Sequence, residues 1–191
     1  MKRFALVTGI LALAAPLALA QTSTWSIDAA HSEVDFTVRH MSVSNVHGRF
    51  GNLSGKILLN EADITKSSVQ VTIDATTVDT GVTMRDADLK SANFFDTATF
   101  PSASFTSTTV VKSGSNLTVS GSLTLHGVTK PVVLNVEGPS GPAPGMDHKP
   151  HSGFSATTTI KRTDFGIGSK YPANVIGDDI ALVIELEVVK Q

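Results

Sequence analysis

Residues 179–190, DIALVIELEVVK, alternate without a break. Ile180, Leu182, Ile184, Leu186 and Val188 fall on one side, and Ala181, Val183, Glu185, Glu187 and Val189 on the other. Successive side chains leave a β-strand on opposite faces, so this period of two predicts a strand with one face turned to a core.

The same period recurs upstream. Phe154, Ala156, Thr158 and Ile160 share a face, as do Val132, Leu134 and Val136, and Leu117, Val119, Gly121, Leu123 and Leu125. Before them come Ala103, Phe105, Ser107 and Thr109, then Val69, Val71, Ile73 and Ala75. A long strand is expected from Val46 to Asn60, with Leu53, Gly55, Ile57 and Leu59 on one face. Its glycines at 48, 51 and 55 mark bulges or coiling. Val34, Phe36, Val38 and His40 alternate in the same way, and Trp25–Asp28 is a shorter piece.

The connections are short. Lys112–Asn116 is a hairpin turn, and His126–Pro131 places its proline where a strand begins and need not donate. Gly138–His151, rich in Gly and Pro, is expected to be a mobile surface loop that does not pair in a sheet. The count is eight or nine strands with no repeat and no linker. Long antiparallel strands in simple succession predict an all-β up-and-down barrel or sandwich. An eight-stranded barrel has an interior that side chains or one ligand can fill.

The chain ends and composition narrow the function. Lys2 and Arg3 precede an apolar run from Phe4 to Leu19, and Ala18-Leu19-Ala20 supplies the small residues of a cleavage site. A secretory signal peptide over 1–20 is expected, cut after Ala20, leaving one domain over 21–191 and a periplasmic address. The apolar run is shorter than the ~18 residues a membrane span requires. Without Cys the exported domain has no disulfide, no thiol chemistry and no lipid-anchored cysteine. Cleavage removes two basic residues and no acid, so the formal charge moves from −2 to −4. Such a balance does not attract nucleic acid or hold an anionic membrane surface.

Catalytic signatures are not found. There is no Gly-x-Ser-x-Gly elbow and no glycine-rich phosphate loop, and Asp86/Asp88 and Asp178/Asp179 read as solvated or capping acids. The six histidines do not follow a metal-binding spacing. His148 and His151 are three apart within the Pro/Gly segment, and the others lie scattered near strand ends. No cofactor and no metal site are expected.

One stretch breaks the period. Residues 79–101, DTGVTMRDADLKSANFFDTATFP, mix charge with aromatic surface and hold the chain's one helical possibility, with Asp79 or Thr80 as cap and helix formers from Arg85 to Ser91. Two readings are open. Arg85 beside Leu89, Phe94 and Phe95 can hold an anionic head group at a barrel mouth, or it can fasten a crossover to the barrel.

Several motifs, taken together, resemble the YceI-like family. They are Trp25-x-Ile27-Asp28-x-x-His31-Ser32-x-Val34-x-Phe36-x-Val38-Arg39-His40, then Val46-x-Gly48-x-Phe50, Asp79-Thr80 and Arg85-Asp86-x-x-Leu89. Phe94-Phe95-Asp96, Pro101, Gly121-x-Leu123-Thr124-x-His126-Gly127-Val128-Thr129-Lys130 and Arg162-x-Asp164-Phe165-Gly166 complete the set. The resemblance implies a secreted lipocalin-like barrel of eight extended antiparallel strands with a short helical cap. It also implies a non-enzymatic role in transport, storage or stress, with a polyisoprenoid or fatty-acid-like lipid as partner. Ligand contact carries over to Phe36, Val38, Phe50, Arg85, Leu89, Phe94, Phe95, Phe105, Phe154 and Phe165. A homodimer is compatible with the chain. The rival functions are an interaction module whose barrel is filled by its own side chains, and an enzyme acting on lipid.

Overall fold

The structure is a computed structural model that describes residues 22–191; the expected signal segment and its cleavage point at Ala20 lie outside the described residues. The first four strands are β1 (Thr22–Ile27), β2 (Glu33–His40), β3 (Ser44–Phe50) and β4 (Ser54–Asn60). Because β1 pairs with β4 and β2 with β3, they form one hairpin of two long, interrupted strands. The others are β5 (Ser68–Asp74), β6 (Ser102–Ser113), β7 (Asn116–Leu125), β8 (Val128–Pro144), β9 (Pro150–Lys161) and β10 (Ile176–Lys190). Each pairs antiparallel with the next, and β10 closes the ring onto β2 over Ile176–Glu185 and onto β1 over Val188–Lys190. Over the described residues the result is a closed barrel of eight long strands with one α-helix, α1 (Thr83–Lys90).

Alternation decides the inside. Val34 and Phe36, Ile57, Val71, Val119 and Leu123, Val132 and Val136, Ala156 and Val188 are all buried. These are the apolar faces that the two-residue period marked out, and their burial is what the closed sheet is built to achieve.

Three expectations are corrected. In β6 the register shifts between Ser107 and Thr109, so the extra residue Thr108 turns Val110 inward (8% exposed) and Thr109 outward. A bulge of this kind reverses the period downstream of it. Second, Gly138–His151 does pair: Ser140 faces Gly153, Ala143 faces His151 and Pro144 faces Pro150, with two register shifts. Gly138 and Gly141 take φ of +120° and +96° in this part of the ladder, a region open to glycine. Third, neither Asp79 nor Thr80 caps α1. The N-cap is Val82, which makes no side-chain cap bond, and Asp86 reaches back instead to accept from the Thr80 N–H (2.8 Å) and hydroxyl (2.6 Å).

β5 ends at Asp74, too early to pair with β3. Past that point the chain pairs with β3 through an isolated bridge, Arg49 to Asp79, and β3 ends the sheet order. The 79–101 segment thus crosses one end of the barrel where a strand pairing is missing.

Candidate functional site

Among the described residues, two cavities stand out inside the barrel. A deep chamber of about 130 Å³ sits among β4–β9 and the inner face of β10, lined by residues that include Ile57, Val119, Val136, Phe154, Ala156 and Ile184. A second chamber of about 120 Å³ sits under the 79–101 segment. Val34, Ile73, Leu123 and Leu182 line both, so the chambers meet at a shared waist. The deep chamber is apolar apart from Ser67, Ser68 and Thr158, and no His, Asp or Glu lines either one. An apolar cavity of this size is a place for hydrocarbon.

The cap-side chamber is closed by two pieces of chain. From the first, Leu89, Phe94 and Phe95 face inward. Phe95 meets Phe50 edge-on at 5.2 Å, and Phe50 lies 5.5 Å from Phe36, so a row of rings runs from the cap to the wall. The second piece is the 166–177 loop. Its Tyr171 stacks on Phe94 at 5.4 Å, and Lys170 donates to Asn93 Oδ1 at 2.6 Å. Gly168, at φ +57°, leaves room for the Phe94 ring; a β-carbon there would stand 2.9 Å from it. Paired rings of this kind add about 0.5–1.5 kcal/mol beyond the area they bury.

Arg162 holds the second piece. It is 4% exposed, and its guanidinium donates to five backbone carbonyls: Gly177, Ile167, Gly168, Tyr171 and Ile176, at 2.7–3.0 Å. An arginine has five N–H donors, so all are spent. Arg162 borders the cap-side chamber yet has no donor left for a ligand.

Of the residues to which the resemblance carries ligand contact, Phe36, Val38, Phe50, Leu89, Phe94 and Phe95 line the cap-side chamber, and Phe105 and Phe154 the deep one. Arg85 lines neither. Its Nε donates to the Thr80 hydroxyl (2.7 Å) and its Nη2 to the Thr80 carbonyl (3.0 Å). With Asp86 bound to the same Thr80, the Arg85-Asp86 pair grips the strand-side root of the cap, where Thr80 packs over Gly48. The Asp86 carboxyl is held below the ordinary aspartate range, chiefly by the Thr80 hydroxyl. Phe165 is 2% exposed and sits in the core beside the chambers, its carbonyl 2.9 Å from His126 Nδ1. Arg162, Ile167 and Tyr171 escaped the sequence-based list. The available signal was an arginine at the end of an alternating strand, directly before a glycine-rich stretch.

The YceI-like domain family matches residues 25–188. Protein YceI of Escherichia coli O6:H1 is 38% identical over 165 residues, covering 84% of this chain and 83% of that protein. Among solved structures, the Campylobacter jejuni YceI protein is 34% identical with a TM-score of 0.71, covering 78% of this chain and 87% of that one. A polyisoprenoid-binding domain from Saccharophagus degradans, implicated in plant cell wall breakdown, has the same fold with a TM-score of 0.66 at 23% identity. It covers 90% of this chain and all of that one.

Proposed function

The chain belongs to the YceI-like family, and from that membership and its apolar interior we propose that it is a non-enzymatic carrier or store of a polyisoprenoid or similar long-chain lipid. The observation that carries this reading is the pair of neighbouring apolar chambers that share Val34, Ile73, Leu123 and Leu182 as wall residues. An elongated cavity with a wall of aliphatic and aromatic side chains suits a long hydrocarbon better than a compact ligand. Burial of each CH₂ contributes about 0.8 kcal/mol before ordering costs, so affinity rises with chain length until both chambers are full. The polar end lies at the cap, where Asn93, Lys170 and the backbone of the 166–177 loop are near water. The eight predicted contacts on the chamber walls are proposed as ligand contacts; Arg85 is proposed as a fastener of the cap. The carrier works in the periplasm, after removal of residues 1–20.

Native mass spectrometry of the purified mature protein, with lipid extraction, tests the reading. A co-purifying long-chain isoprenoid, or saturable uptake of one that strengthens with each added unit, supports it. A protein that stays empty and gains no affinity with chain length sinks it, and points to an interaction module. Turnover of a lipid ester that one polar substitution abolishes restores the enzyme reading.

A further inference from the structure

The outer wall of the barrel, at the end away from α1, carries a cluster that the chamber chemistry does not use. Between β1 and β2 the chain leaves the sheet at Asp28 and returns at Ser32, opposite Glu187 of β10. This excursion is stitched down. The Asp28 N–H donates to the Glu187 carbonyl at 2.9 Å, and the Glu187 N–H donates to Ser32 Oγ at 3.0 Å. Asp28 Oδ1 takes the Ala30 N–H, which leaves Oδ2 for His31 Nδ1 at 2.9 Å. Five residues thus bulge out of one strand and bring a carboxylate and an imidazole to the outward-facing Glu187. Bulges commonly re-aim side chains in this way.

A second imidazole arrives from β9. His151 Nδ1 lies 2.6 Å from Glu187 Oε1, and its Nε2 lies 3.0 Å from Asp147 Oδ1. Of the described residues, no Lys or Arg forms an ion pair with Asp28, Asp147 or Glu187; their ion-pair partners are the two histidines. Three carboxylates and two imidazoles thus meet on one patch of the outer wall.

We propose that Asp28, His31 and Glu187 bind a divalent transition-metal ion of the zinc type, with His151 orienting Glu187 from behind. The nitrogen and oxygen atoms that Asp28, His31 and Glu187 offer all lie within 4.8 Å of one another. A tetrahedral zinc site places its ligand atoms roughly 3.4 Å apart, given metal–ligand distances near 2.1 Å. His31, whose side chain is 65% exposed, has room to reorient toward that spacing. His151, held on its far side by Asp147, bonds Glu187 Oε1 and orients that carboxylate, as the hydrogen-bond partners of a metal ligand do. Mixed imidazole and carboxylate donors select zinc, nickel or copper over calcium and magnesium. The site is on the outside of the barrel and independent of lipid occupancy.

The test uses the untagged mature protein, stripped with chelator, titrated with Zn²⁺ by calorimetry and with Co²⁺ by visible absorption. One saturable ion per chain is expected, with a rise in melting temperature. His31→Ala and Glu187→Gln each weaken binding by about tenfold or more, and His151→Phe lies in the same range. His47→Ala, on a different strand, changes nothing. Melting of each variant without metal verifies that it folds. Absence of saturable binding, or binding that survives both His31→Ala and Glu187→Gln, overturns the proposal. So does binding lost only in His148→Ala.

Discussion

The two chambers share four wall residues and differ in what encloses them. Around the deep chamber almost every side chain comes from a strand, with Ile64 and Ser67 as the exceptions, and the only aromatic rings are Phe105 and Phe154. The cap-side chamber takes part of its wall from outside the sheet: Leu89, Phe94 and Phe95 from one segment, and Ile167 with the Arg162-bound loop from another. A ladder-bound wall opens only with the barrel. A wall of short segments held by side-chain bonds opens locally, at lower cost. On the proposed carrier reading, entry and head-group placement therefore belong to the cap side, and tail burial to the deep side.

The largest expected effect is at Arg162. Arg162→Met keeps the length of the side chain and removes all five donors, leaving carbonyls at Ile167, Gly168, Tyr171, Ile176 and Gly177 without them. A loss of roughly 3 kcal/mol or more in denaturant unfolding is expected, at about 1–3 kcal/mol for each buried group left unpaired. Hydrogen exchange then accelerates most in 166–177 and α1. Equal acceleration in β7 and β8 would break the distinction between a local and a ladder-bound wall.

Next is the waist. Leu123→Trp puts a large ring where the chambers meet and costs about 1–3 kcal/mol of stability through overpacking. A long isoprenoid that needs both chambers should lose about 10- to 100-fold in affinity, near 1.4 kcal/mol per factor of ten. A short one that fits under the cap keeps its affinity. Equal loss for both lengths means that the chambers are not filled in sequence.

The same division governs what was legible in the sequence. Strand faces such as Leu117-Val119-Leu123 and Ile180–Val188 follow from local alternation, because one buried face fixes the period. The barrel needed only their number and succession, and the resemblance supplied its closure. The β6 bulge was not legible: nothing in Ser107-Thr108-Thr109 announces that Val110 turns inward, since the extra residue is set by pairing with Gly121 and Ser120. Gly138–His151 misled for a related reason. Its glycines and prolines argue against a regular ladder, yet an irregular one accommodates them at register shifts. At the cap, Phe94 and Phe95 were readable as apolar anomalies. For Arg85 the sequence left two readings, head group or fastener; the role of Arg162 was not readable, because it acts on backbone carbonyls that composition does not reveal.

Arg85→Ala carries a smaller effect. It removes two hydrogen bonds to Thr80 in a partly exposed setting, worth about 1 kcal/mol. Unfolding free energy should drop by that amount and α1 amides should exchange faster. Affinities for neutral-headed and anionic-headed ligands should change together. A selective loss for the anionic ligand would instead make Arg85 a head-group residue and shift the mouth toward Thr80.

Acid gives the smallest effect and the finest separation of the two walls. Asp86 is depressed from the ordinary value of 3.8, first by the Thr80 hydroxyl, then by the Thr80 N–H and the charges of Arg85 and Lys90, which together outweigh partial desolvation. A carboxyl depressed in the fold contributes its full stability above its unfolded pKa and loses it as pH falls through the lower folded pKa. Cap protection should therefore begin to fall below about pH 4. Asp63, which caps the turn carrying Ile64 beside the deep chamber, is depressed by Thr65 in the same way. The contrast is thus between α1 and the β7–β8 ladder, whose backbone bonds involve no carboxylate. Hydrogen exchange between pH 5 and 3, corrected for intrinsic rates, should show α1 opening first. Asp86→Asn should remove the pH dependence by making the cap equally loose throughout. If α1 and β7–β8 lose protection at the same pH, the cap opens only when the barrel does, and entry by local opening at that end is ruled out.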